Sequence, residues 1–207
     1  VGIINFPKMV LIDPLFLKSL PKYEIRSGVA EMLKHGLIKD AEYWKRLSDL
    51  KSLNLYDLEC LIYESVVIKN EIVKRDPNEF GERKQLNFGH TLGHAIESYF
   101  LSSNNKTTLL HGEAIAVGMV LEAYLSTKNC GLINEELLQI KKVFTNLYGI
   151  VKFNKKDKDS IIDLLKYDKK NSHGEIKFAL LECIGKSNID VIVNEDIINE
   201  AFSYYAS

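Results

Sequence analysis

At 207 residues, 46% hydrophobic and 27% charged, the chain suits one large water-exposed domain, or a domain with an added fragment. Its net charge of −1 argues against a nucleic-acid or anionic-membrane partner, and no apolar run reaches the roughly 18 residues of a membrane span. Three cysteines without C-x-x-C spacing (Cys60, Cys130, Cys183) read as reduced core thiols of a cytoplasmic protein.

The start, "VGIINFPKMVLID", is apolar but lacks the basic flank and small-residue cleavage site of a signal peptide. With no initiating Met, it fits a chain cut from something longer. "MVLID" (Met9 to Asp13) reads as a short strand ended by Pro14, and "FLKSLP" as a turn or short helix stopped by Pro21. From Tyr23 the pattern is helical to about Ile38. Asp40 is placed to cap a second helix to about Leu50. Asn54 is placed to cap a long third helix to Arg75, stopped by Pro77. After the polar loop "NEFGERKQ", a helix is expected over Asn87 to Leu101. "SSNNKTT" is another polar loop. His111 to Lys128, apolar nearly all round, marks a buried helix. Helices fit Asn134–Leu147 and Asp157–Leu165. "GEIKFALLECIGKSNIDVIV" is a hairpin candidate turning at Gly185 to Ser187, and a short helix closes the chain. The fold class is mainly α, with a small β-hairpin and one N-terminal strand. That strand must pair with the hairpin or belong to a sheet outside this chain, because a lone strand leaves its backbone groups unsatisfied.

The chemistry concentrates in "NFGHTLGHAIE". His90, His94 and Glu97 fall at i, i+4 and i+7 and share one helical face. Gly89 and Gly93 lie beside it, each costing a helix interior about 1 kcal/mol against alanine, so another backbone or a ligand is expected to pack close. Two histidines four apart suit a metal, but Thr91 stands where H-E-x-x-H proteases carry their general base. His111 opens the buried helix, and three His or carboxylate ligands with one open position make a common catalytic metal site. In "SGVAEMLKHG", Glu31 and Lys34 share a face at i and i+3, where a surface ion pair is the simplest reading. Gly28 and Gly36 there hint at close packing. Lys69 falls between Val66 and Ile72 on the apolar face of its helix, so it must snorkel or meet an anion. "IGKS" (Ile184 to Ser187) mimics the end of a phosphate loop but lacks the preceding glycine, and no G-x-G-x-x-G occurs.

Together "SGVAEMLKHG", "KNEIVKRDPNEFGERKQLNFGHTLGHAIE", "HGEAIAVGM" and "DKKNSHGEIKFALLECIG" resemble the 3-dehydroquinate synthase family, in order, from about Pro7 to about Val193. The resemblance implies a helical metal- and substrate-binding domain over residues 23–207. Residues 1–22 would be the last strand and hinge of an NAD-binding domain outside this chain. It implies conversion of DAHP (3-deoxy-D-arabino-heptulosonate 7-phosphate) to 3-dehydroquinate and phosphate in the shikimate pathway. That reaction uses NAD and a divalent metal, zinc or cobalt, and the full-length enzyme would be a homodimer. The isolated domain is expected to be inactive. The metal ligands implied are Glu31, His90 and His111, with His94 handling a proton. Lys34, Lys69, Arg83 and Asn87 would meet substrate, with Lys169 or Lys170 near its carboxylate or phosphate. Phe16, Leu17, Lys18 and Ser19 match a segment touching NAD. The stretch "LSSNNKTTLL" before His111 is longer than the family pattern. Other sugar-phosphate cyclases, a glycerol-dehydrogenase-like metal enzyme and a non-catalytic metal-binding module are the alternatives.

Overall fold

A computed structural model describes residues 7–49, 55–103, 106–166 and 176–207. Among these residues eight helices and one hairpin follow in order: α1 (Lys22–Lys39), α2 (Ala41–Ser48), α3 (Leu55–Arg75), α4 (His90–Ser102), α5 (His111–Asn129), α6 (Asn134–Tyr148), α7 (Lys155–Lys166), β1 (Lys177–Cys183), β2 (Lys186–Ile192) and α8 (Glu195–Ala206). Short 3-10 turns occupy Pro14–Ser19 and Glu82–Asn87.

Local chemistry sets these boundaries. The Asp40 carboxylate accepts the Tyr43 N–H at 2.9 Å and starts α2, as an N-cap should. Asp76, just past α3, accepts from the N–H groups of Phe80, Gly81 and Arg83 and folds the next loop back on itself. Asn154 and Asp157 cap each other's backbone N–H at 2.9 and 2.8 Å, so α7 begins just before Asp157. The cap expected at Asn54 lies outside the described residues.

α5 is the central rod, packed against α1, α4, α6, α8 and β1. Its apolar sequence follows from that position: Ala114, Ile115, Met119, Val120, Leu121, Ala123 and Leu125 are all fully buried. A large aliphatic side chain buried this way contributes about 1.5–3 kcal/mol. β1 and β2 pair antiparallel through a tight turn at Gly185 (φ +93°), and the buried run Phe178 to Leu181 of β1 faces the core.

Three expectations need correction. Met9–Asp13 is not a strand: the hairpin is a two-stranded sheet among the described residues, and Met9, Val10 and Leu11 are exposed. Among the described residues no partner edge is offered to it, so it does not pair with the hairpin, and only a sheet outside this chain would complete it. Cys60 and Cys183 are exposed rather than core thiols, because each falls on a solvent-facing position of its element. The helix expected from Asn87 begins at His90. Asn87 ends a 3-10 turn, and Gly89 turns the chain in the left-handed region at φ +78°.

That last correction explains the glycines. A side chain at Gly89 would overlap Met119 of α5. One at Gly93 would come within 2.6 Å of the Ile115 side chain and 3.0 Å of its Cα. One at Gly118 would overlap the Gly89 carbonyl. The neighbour that demands glycine is therefore helix α5 itself. Gly36 similarly admits the Trp44 backbone, whereas Gly28 faces open space and packs against nothing. No described helix is long and apolar enough to cross a membrane.

Candidate metal centre

Three helices bring Glu31 (α1), His90 and His94 (α4) and His111 (α5) to one point. The His90 ring centroid is 5.1 Å from that of His94 and 5.8 Å from that of His111. The three imidazoles offer nitrogens within 4.8 Å of one another. Glu31 Oε1 lies 3.2 Å from His90 Nε2 and 3.9 Å from His111 Nε2.

Hydrogen bonding fixes what these atoms can do. His90 Nδ1 sits 3.1 Å from the Phe88 carbonyl, which can only accept, so Nδ1 carries the hydrogen. Nε2 of the neutral ring then presents a lone pair to Glu31 Oε1, a buried oxygen without a hydrogen-bond donor. Two acceptors 3.2 Å apart are stable only with a cation or proton between them. Ligand atoms about 2.1 Å from a tetrahedral zinc lie about 3.4 Å apart, so the spacing fits a metal. His111 is arranged alike: its Nδ1 donates to Glu97 Oε2 at 3.1 Å, leaving Nε2 for the cluster.

Lys34 Nζ donates to the other Glu31 oxygen at 2.6 Å. Its side chain is only 4% exposed while that of Glu31 is 33% exposed, so the pair is part-buried rather than the surface ion pair expected at i, i+3. Burial opposes the charge of Glu31, but with a proton rather than a metal between Oε1 and His90 Nε2, that hydrogen bond and the Lys34 ammonium outweigh it and hold the carboxyl well below its usual range. Burial likewise lowers the pKa of Lys34, against the pull of Glu31.

His90 and His94 also line a cleft of about 580 Å³ with Asn87, Glu79, Lys84 and Lys177. Asn87 donates to Glu79 Oε1 at 2.8 Å, and Glu79 holds a left-handed backbone (φ +60°) to do so. Arg83 donates to the Pro77 carbonyl at 2.6 Å and lies outside the cleft lining. Lys69 is exposed rather than on the apolar face, because Leu58, Leu61, Ser65, Ile68 and Ile72 form that face. Its charge still bears on Lys34 and His35, although it does not line the cleft. Phe16, Leu17, Lys18 and Ser19 form a 3-10 turn beside α3, away from the cleft lining. Lys169 and Lys170 lie outside the described residues.

Glu79, Lys177 and Glu122 are not singled out by the sequence, and Glu97 is named there without a role. Only Glu97 carried a signal, its place on the His90–His94 face.

The family model described as "3-dehydroquinate synthase C-terminal" matches residues 28–171. A 3-dehydroquinate synthase of Parabacteroides distasonis is 42% identical over 207 residues, covering 99% of this chain and 58% of the relative. One of Clostridium beijerinckii is 38% identical, covering 92% and 54%. The chain thus spans little more than half the length of these relatives. Among solved structures, a 2-epi-5-epi-valiolone synthase from Streptomyces hygroscopicus with NAD+ and Zn2+ bound superposes with a TM-score of 0.74 at 24% identity, over 94% of this chain and 54% of that one. A 2-deoxy-scyllo-inosose synthase complexed with carbaglucose-6-phosphate, NAD+ and Co2+ gives 0.71 at 23%, over 93% and 54%. At these identities the likeness shows a shared fold.

Proposed function

For a chain that belongs to the 3-dehydroquinate synthase family, we propose that it supplies the metal- and substrate-binding half of an enzyme converting DAHP to 3-dehydroquinate and phosphate in the cytoplasm. The observation that carries this reading is the buried Glu31 oxygen facing the His90 Nε2 lone pair, with His111 closing the triangle from a third helix. Glu31, His90 and His111 would hold a divalent metal, zinc or cobalt. That metal would supply a positive charge that acidifies a substrate hydroxyl and stabilises its oxyanion.

The chain's own residues do the rest. Lys34 keeps Glu31 ionised and aimed, through a 2.6 Å hydrogen bond that also neutralises the buried charge. Glu97 fixes the tautomer of His111. His94, one helical turn beyond His90 and opening on the cleft, takes up or relays the proton of that hydroxyl. Asn87 and Lys177 line the same cleft, where they donate to the oxygens of a substrate carrying carboxylate and phosphate. Lys34, Lys69 and Arg83, with Lys169 or Lys170, are further substrate contacts in this reading. NAD would come chiefly from an N-terminal domain to which residues 1–22 belong, with Phe16, Leu17, Lys18 and Ser19 at its edge. The full-length enzyme is a homodimer in this reading.

Calorimetric titration with Zn2+ tests it. The chain should bind one zinc ion, and His90→Ala should lower the affinity at least about 100-fold, since one of three protein ligands is gone. Normal zinc binding by folded His90→Ala refutes the ligand set.

A further inference from the structure

One carboxylate outside the metal cluster ties together two of the helices that carry it. Glu122 lies on α5 eleven residues after His111, about three helical turns, so both residues project toward α4. It is completely buried. Its Oε2 accepts the N–H of Gly89 at 2.6 Å and its Oε1 the N–H of Leu92 at 3.0 Å, and the Thr91 N–H also points at it. These are the first-turn donors that a helix leaves without intrahelical partners. The N-cap position of α4 is Gly89, which has no side chain to accept them. It must remain glycine because φ is +78° and Met119 occupies the space a Cβ would take. The cap therefore comes from another helix.

A carboxyl in the core is costly unless it has a task that an apolar residue could not perform. Burial pushes this one up to about 8, against the N–H groups of Leu92, Gly89 and Thr91 and the charge of Lys34. Either protonation state leaves lone pairs for the donors. We propose that Glu122 is a positioning residue for the metal centre: by capping the first turn of α4 it fixes His90 and His94 relative to His111 on its own helix. His90 is the first residue of α4, so it is the ligand that moves when this turn frays. The inference rests on the ligand set proposed above.

Glu122→Gln keeps the shape and one acceptor oxygen but turns an NH2 toward a backbone N–H. The test is Zn2+ affinity by chelator competition and the visible spectrum of the Co2+-loaded chain, with Ile140→Val on α6 as a control for core destabilisation. The expected result is a folded variant with zinc affinity lowered about 10–100-fold and an altered Co2+ spectrum, while Ile140→Val matches the unsubstituted chain. Linkage is reciprocal, so zinc should also slow amide exchange at Gly89 and Leu92 of the unsubstituted chain. Unchanged zinc affinity in folded Glu122→Gln overturns the proposal. Should that variant fail to fold, unchanged exchange at Gly89 and Leu92 on adding zinc overturns it equally. An unsubstituted chain that binds no zinc refutes the ligand set and this inference with it, a result distinct from a loss confined to the variant.

Discussion

Gly118→Ala and Gly28→Ala make the same chemical change in two helices, and the structure gives them opposite signs. A methyl at Gly118 would overlap the Gly89 carbonyl and lie 2.7 Å from Gly93 N and 2.9 Å from Gly93 Cα. All three are backbone atoms, so no side-chain rotation relieves the clash. Reaching ordinary contact near 3.4 Å requires α4 and α5 to part by about 1 Å. Overlap with three backbone atoms falls in the upper part of the overpacking range, about 2–3 kcal/mol, and the better helix propensity of alanine returns about 1 kcal/mol. A net loss of about 1–2 kcal/mol lowers Tm by about 2–8 °C in a domain of this size. The same shift separates His90 from His111, so zinc affinity should fall at least about tenfold. At Gly28 nothing lies within 4 Å of the added methyl, and only the propensity gain remains, about 0.5–1 kcal/mol with a Tm rise of about 1–4 °C. Thermal unfolding followed by far-UV circular dichroism, with zinc titration at 25 °C, measures both. A Gly118→Ala chain as stable and as zinc-avid as the unsubstituted one would refute the close-crossing argument.

Glu31→Gln should weaken zinc binding at least about 100-fold whereas His94→Ala changes it less than about tenfold, by calorimetric titration of each. The reverse order would make the three imidazoles the ligand set. His35, buried against Ser65 of α3 (2.7 Å), with Lys34, Glu31, Lys69 and His90 around it, is pushed down to about 3, first by burial and then by the Lys34 charge. Between about pH 6.5 and 3 the unfolded chain therefore binds the extra proton, and stability falls as pH falls through that window. Urea midpoints should decline on acidification from pH 6.5, and His35→Gln should flatten that slope; an unaltered slope would remove His35 as its cause.

Most of the architecture is legible in the sequence because it depends on local signals. α5 shows as an apolar run bracketed by His111 and polar Lys128, α2 by the Asp40 cap, and the turn between β1 and β2 by Gly185. The failures are where a distant partner decides. Met9–Asp13 has strand propensity but no edge to pair with. Lys69 reads onto the apolar face because Val66 is apolar, yet Val66 is exposed and polar Ser65 is the buried position. The same division runs through the site. His90 and His94 announce themselves by spacing within one helix and His111 by opening a buried one, and the family resemblance is what points to Glu31 beside them. Glu122 carries no spacing signal, since its partners are backbone N–H groups some thirty residues away in the chain.

The glycines beside the histidines belong to that same long-range logic. Helices crossing through ordinary side chains stand about 8–10 Å apart. Gly89, Gly93 and Gly118 let α4 and α5 approach until backbone meets backbone. His90, one residue from the start of that contact, then lies with its ring centroid 5.8 Å from His111 on the other helix. Each interior glycine gives up about 1 kcal/mol of helix propensity, and Gly89 leaves α4 without an N-cap side chain. The all-apolar packing of α5 and the Glu122 carboxylate compensate from the opposite side of the crossing. A sequence with alanines at Gly93 and Gly118 would have better helices and a displaced histidine cluster. The weak helix formers thus belong to the chemistry rather than to the fold alone.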